Sequence, residues 1–115
     1  MENLELLRDQ LRTFAAERDW DQFHSPKNLA SALAVEAAEL LEKFQWLTET
    51  QSAQLPPDVL DEVAQEVADV FLYLIRLSDK LEIDMVAAAK AKLALNAKKY
   101  PVERSRGSSK KYDKL

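Results

Sequence analysis

There is no cysteine among the 115 residues, and glycine and histidine each occur once. Without thiols, disulfides, thiolate metal sites and a cysteine nucleophile are excluded. One glycine and four prolines leave little material for a turn-rich β fold. No stretch approaches the ~18 successive apolar residues of a membrane span. The opening segment MENLELLRDQLRTF carries acids early and has helical spacing, unlike a secretory or transit peptide, so a cytoplasmic location is expected.

What is present is an ordinary soluble mix, 47% hydrophobic and 31% charged. The length suits one domain, and a domain this small buries a modest core, which makes a homo-oligomer plausible. The net charge of −4 is uneven. Residues 101–115 hold five basic side chains (Arg104, Arg106, Lys110, Lys111, Lys114) against two acids, a tail of +3 that leaves the other 100 residues at −7. An acidic body disfavours nucleic-acid backbones. A phosphorylated ligand would need a cation as mediator.

Hydrophobic spacing predicts an all-α chain of four helices and a tail, without internal repeats. The first covers about residues 3–18, with Leu4, Leu7, Leu11, Phe14 and Ala15 in register. DWDQFHSPKN connects it to a second helix over about residues 26–45, capped by Ser25 with Pro26 at its first position. TETQSAQLP reads as a loop. Pro57 and Asp58 open a third helix to about Leu81, and Asp84 caps a fourth that ends before Pro101. The expected organisation is a helical domain over 1–101 and a basic, mobile tail over 102–115.

The stretch EAAELLEKFQW, Glu36 to Trp46, places acids beside an apolar stripe. With Glu36 at the origin, Leu29, Leu40, Leu33 and Phe44 fall within about 80° on one side, and Glu39 about 60° to the other. The third helix repeats the pattern. Val59, Val63, Val70, Leu74 and Leu77 lie within about 80° of Glu66, and Asp69 about 60° to the other side. Glu62 and Tyr73 flank Glu66. If the two stripes pack together, Glu36, Glu39, Glu66 and Asp69 converge. Unpaired anions at a helix interface are costly, so they must protonate, pair with a base or hold a cation. Lys43 and Arg76 point elsewhere on their helices. Oxygen ligands without histidine or cysteine favour Mg²⁺ or Mn²⁺ over Zn²⁺. A carboxylate-bridged di-iron bundle wants Glu-x-x-His pairs, and His24 lies outside both acidic motifs. Solvated i, i+3 acids on a helix surface are the plain alternative.

Other residues suit a ligand. Lys92, Asn96 and Lys99 share one stripe of the fourth helix within about 60°, matching phosphate oxygens or merely a basic helix end. Trp20 and Trp46 sit at helix ends, where they stack on a base or pack in the core. Tyr73 offers a hydroxyl beside Glu66. His24, next to Ser25 and Pro26, is a candidate ligand contact or a packing residue.

The segments FAAERDWDQFHSPKNLASAL, EAAELLEKFQW, EVADVFLYLIRL and KLALNAKKYP, with a weaker echo at SSKKY, resemble the all-α nucleoside triphosphate pyrophosphohydrolases of the MazG-like superfamily. The similarity spans about residues 10–101. The paired E-x-x-E and E-x-x-D motifs are the superfamily's signature, and FAAERDW and FQW resemble its dCTP-hydrolysing branch. The resemblance implies a four-to-five-helix fold whose bundle core is completed by dimerisation, in a dimer or a dimer-of-dimers tetramer. It implies a Mg²⁺ site at Glu36, Glu39, Glu66 and Asp69. It also implies a base enclosed by Trp20 and Trp46, and sugar or phosphate contacts from Tyr73, Lys92 and Asn96. The implied reaction turns dCTP, or a modified dCTP, and water into dCMP and pyrophosphate, with Glu39 the candidate general base. The tail's charge suggests that it closes over the leaving group. Leu11 departs from the pattern, standing where relatives of that branch carry a histidine near the base, so dUTP or dTTP remain alternative substrates. A non-enzymatic helical interaction module, its acids holding partner Lys or Arg, is the alternative of a different class.

Overall fold

Asn3 stops the chain from extending and starts the first helix: its side chain accepts a hydrogen bond from the Leu6 amide at 2.8 Å, satisfying one orphan donor of α1 (Leu4–Glu17). This computed structural model describes residues 3–115, and among them every regular element is helical. α1 ends at Glu17 with Arg18 as its C-cap, and Asp19 beyond it adopts a positive φ of 52°. The Trp20 amide then closes back on the Ala15 carbonyl at 2.9 Å, and Gln22 donates to the backbone and side chain of Asp19. These bonds shape a 3₁₀ turn, Asp21–Phe23, that carries Trp20 and His24 at its two ends.

Ser25 caps α2 (Pro26–Glu42), accepting from the Asn28 amide at 3.1 Å with Pro26 in the first turn, as its spacing predicts. Asn28 also donates to the Phe23 carbonyl at 2.9 Å, which ties the 3₁₀ turn to the helix start. α2 stops at Glu42, three residues short of the sequence expectation, so Phe44 and Trp46 lie in the turns that follow. The expected loop TETQSAQLP is also corrected. It contains a short helix, α3 (Glu49–Ser52), held by a reciprocal capping box in which Thr48 accepts from the Gln51 amide and Gln51 from the Thr48 amide. α4 (Pro57–Lys80) is the longest element, and α5 (Met85–Lys99) begins at Asp84, whose carboxylate accepts from the Ala87 amide.

The described residues fall into two compact units divided between Glu82 and Ile83. In the first, α4 is the central strut, packed along α2 and, less extensively, against α1. Among the described residues the buried apolar ones are few: Ala15 of α1, Leu29 of α2, and Val63 and Ile75 of α4. Many larger ones stay open. Leu60, Val67, Phe71 and Leu74 recur along one stripe of α4, and each is more than a third exposed. A single copy leaves this apolar surface in water, an arrangement typical of interaction sites.

The second unit holds α5, a short helix α6 (Val102–Ser105) and a 3₁₀ turn, Tyr112–Lys114. Part of the 102–115 segment is thus helical. Tyr112 meets Tyr100 edge-on at 6.2 Å between ring centroids, and the Lys99 ammonium lies 5.0 Å from the Tyr112 ring. Among the described residues no helix is long and apolar enough to cross a membrane.

Candidate metal and active site

The packing of α2 on α4 brings the two acidic motifs together. One carboxylate oxygen from each of Glu36, Glu39 and Glu66 lies within 4.8 Å of the others. Asp69 is outside this closest group. Its charge still acts on both Glu36 and Glu66. Three of the four acids expected at the centre therefore form a tight cluster, with the fourth at its margin.

The cluster is electrostatically strained. Burial, followed by the neighbouring carboxylates of Glu39, Asp69 and Glu66, pushes Glu36 up to about 7. Glu66 is raised for the same reasons, burial first. The Oε2 atoms of Glu36 and Glu66 are buried and find no hydrogen-bond partner. Lys43 gives partial relief. Its ammonium bonds Glu62 at 3.3 Å and its charge pulls Glu66 down, so Lys43 acts on the cluster more than its helical angle suggested. Arg76 does point away.

Two orphaned buried oxygens in an all-carboxylate set are compatible with the ligands of a hard cation. Glu36, Glu39 and Glu66, with Asp69 next to them, fit a divalent ion of the Mg²⁺ or Mn²⁺ type.

The other candidates are spread around the molecule. Trp20 is 44% exposed, its ring edge-on to Phe14 at 5.7 Å and to His24 at 6.3 Å. Trp46 is 86% exposed, so it is not packed in the core of a single copy. Tyr73 is half-buried on α4, in the same unit as the acids. Lys92, Asn96 and Lys99 belong to α5 in the second unit, and Lys99 is the residue that faces Tyr112.

Spacing within single helices gave no sign of one feature. Arg76 is buried, 7% exposed, and donates to His24 Nδ1 at 3.1 Å and to Asp21. Lys80 also bonds Asp21, and Arg12 clamps Asp79, with its Nε 2.7 Å from the carboxylate. Only the bulk of apolar residues around position 76, in VFLYLIRL, hinted that this arginine would be drawn inward.

Residues 32–115 match the model of the MazG-like family. The chain belongs to the MazG-like family. It is 42% identical to dCTP pyrophosphatase 1 of Mus musculus over 114 residues, which cover 97% of this chain and 67% of that protein. It is 40% identical to dCTP pyrophosphatase 1 of Homo sapiens over the same shares. Among solved structures, a pyrophosphatase from Archaeoglobus fulgidus superposes with a TM-score of 0.77 at 42% identity, over 88% of this chain and 94% of that one. The family match includes the whole acidic cluster, Glu36 to Asp69.

Proposed function

We propose that this protein is a Mg²⁺-dependent nucleoside triphosphate pyrophosphohydrolase that converts dCTP, and modified dCTP, to dCMP and pyrophosphate in nucleotide-pool sanitation. The observation that carries the metal-dependent chemistry is the carboxylate cluster with two buried, unpartnered oxygens. The choice of substrate is supported by the 42% identity to a dCTP pyrophosphatase.

In this reading Glu36, Glu39, Glu66 and Asp69 hold the ion. When bound, Mg²⁺ supplies charge neutralisation at the triphosphate and a lowered pKa for water; Mn²⁺ would serve as a substitute. Glu39 takes the proton of the attacking water. The water oxygen bonds the α-phosphorus as the bond to the bridging α–β oxygen breaks, and pyrophosphate leaves with that oxygen. Lys92 and Lys99 offset the phosphate charge, and Tyr73 and Asn96 contact the sugar or phosphates through hydrogen bonds. Trp20 and Trp46 enclose the base, and the high exposure of Trp46 suits an aromatic that waits for a ligand. His24 is a further ligand contact. The open apolar stripe of α4 supports assembly with a second copy, as a dimer or dimer-of-dimers tetramer. The cytoplasm, where nucleotides are held, is the proposed location.

The test is purified protein with Mg²⁺ and each deoxynucleoside triphosphate in turn, products separated by chromatography. Monophosphate and pyrophosphate, formed fastest from dCTP, are expected. Faster release from dUTP or dTTP would move the specificity. Orthophosphate in place of pyrophosphate, or no product, would overturn the reaction.

A further inference from the structure

The only histidine of the chain is bound into an ion network that the proposed hydrolysis leaves unexplained. The Nε–H of Arg76 donates to His24 Nδ1 at 3.1 Å. Its Nη2 donates to Asp21, and its Nη1 lies 3.6 Å from Asp79. Each acid has a second cation: Lys80 on Asp21 and Arg12 on Asp79. The network joins α1, α4 and the 3₁₀ turn that carries the ring.

This arrangement determines the state of His24. A guanidinium keeps all its protons and has no acceptor atom. The imidazole nitrogen facing it must therefore present a lone pair, and a neutral ring must then carry its proton on Nε2. A doubly protonated ring would point an N–H at an N–H. Charge agrees with geometry: burial first, and then the positive charge of Arg76, hold His24 below its ordinary pKa, with Lys80 adding to this and Asp21 opposing it. The Trp20 ring lies edge-on to the imidazole, 6.3 Å between centroids.

We infer that Arg76 is a positioning residue that locks His24 in its Nε2–H tautomer, so that the ring presents one fixed donor to an acceptor atom of the bound nucleotide. The nucleotide half rests on the function proposed above; the tautomer half does not. Arg76 already meets two acids, Asp21 and Asp79, which it shares with Lys80 and Arg12, and its third bond, to His24, adds no ion pair. That bond adds directionality to the imidazole, which would otherwise exchange between two tautomers.

With one histidine in the chain, the test needs no assignment. Long-range proton–nitrogen NMR of the wild-type protein near neutral pH is expected to show an unprotonated Nδ1 and a protonated Nε2. Arg76→Met, which keeps an unbranched apolar chain and removes the donors, is expected to admit the Nδ1–H form and to bring the ring's titration closer to its ordinary range. For the best nucleotide, KM should rise by roughly threefold to tenfold, the worth of one hydrogen bond, while kcat stays within about twofold. In a His24→Gln background, where the amide already replaces the ring donor, Arg76→Met should change KM by less than about twofold. A wild-type ring protonated on Nδ1, an unchanged tautomer in Arg76→Met, or additive KM effects in the double variant would each overturn the lock. If Arg76→Met does not fold, the wild-type spectrum alone still decides the tautomer. A wild-type protein inactive on every nucleotide would remove the nucleotide half together with the proposed function.

Discussion

Glu36→Gln is expected to lower turnover by roughly a hundredfold to a thousandfold while the protein remains folded. The swap keeps the shape of the side chain and removes one carboxylate from the tightest group of acids. Asp69→Asn, at the margin of that group, should cost at least about tenfold. Steady-state hydrolysis at saturating Mg²⁺ with circular dichroism on the same samples decides it. If Glu36→Gln retains more than about a tenth of wild-type turnover, the cluster is not where the metal acts.

The same substitution should have the opposite effect on stability without metal. Glu36 is pushed up to about 7 in the folded chain from an ordinary 4.5. Below 4.5 it is protonated folded and unfolded alike, so it does not bias folding there. As pH rises from 4.5 to about 7 the unfolded chain releases this proton first, and the folded state loses stability relative to it. Between pH 5 and 7.5 metal-free wild type should therefore lose melting temperature relative to Glu36→Gln; His24, held below its ordinary pKa, acts in the opposite sense in both proteins. Asp21, held down chiefly by Lys80, and Asp79, held down chiefly by Arg12, act in a separate window. Their stabilisation is present above the ordinary 3.8 and is lost as pH falls through their lowered values. The same change in melting temperature between pH 5 and 7.5 for wild type and Glu36→Gln in chelator would contradict the strained cluster.

The second large effect belongs to the core. Ile75→Ala or Leu29→Ala is expected to destabilise the protein by about 2–5 kcal/mol, through lost burial and the cavity left behind. With a total stability typically of about 5–15 kcal/mol, that is a large fraction. Leu29 and Ile75 are 1% and 2% exposed, and among the described residues only Ala15 and Val63 join them in the buried apolar core. Few neighbours are available to absorb the loss. Phe71→Ala, on the open stripe of α4, separates two situations. If that stripe faces a second copy, wild-type melting rises with protein concentration and the variant loses this dependence. A melting temperature of Ile75→Ala equal to wild type would refute the core as described.

Much of this was legible in the residues. Four of the helices follow from apolar spacing with Ser25, Pro26, Pro57 and Asp84 as start signals. The matching register of acids beside the apolar stripes of α2 and α4 foretold that Glu36, Glu39 and Glu66 would meet, because a helix's angular period is local and two apolar stripes must pack. α3 was equally local. Thr48 and Gln51 form a capping box whose sequence pattern was present but was read as loop, since four residues are too few to show a period.

By itself, then, the sequence determined an all-helical chain without thiol chemistry, its helix starts, and acids aligned beside two apolar stripes. Tertiary structure alone decided which acids come closest, leaving Asp69 at the margin. It also ended α2 at Glu42, drew Lys43 toward Glu66, left the α4 stripe open and buried Arg76 against a histidine 52 residues away. The reason is physical. Periodicity and caps act over one or two turns, whereas the distance between charges on different helices, and the water removed from around them, depends on how those helices pack.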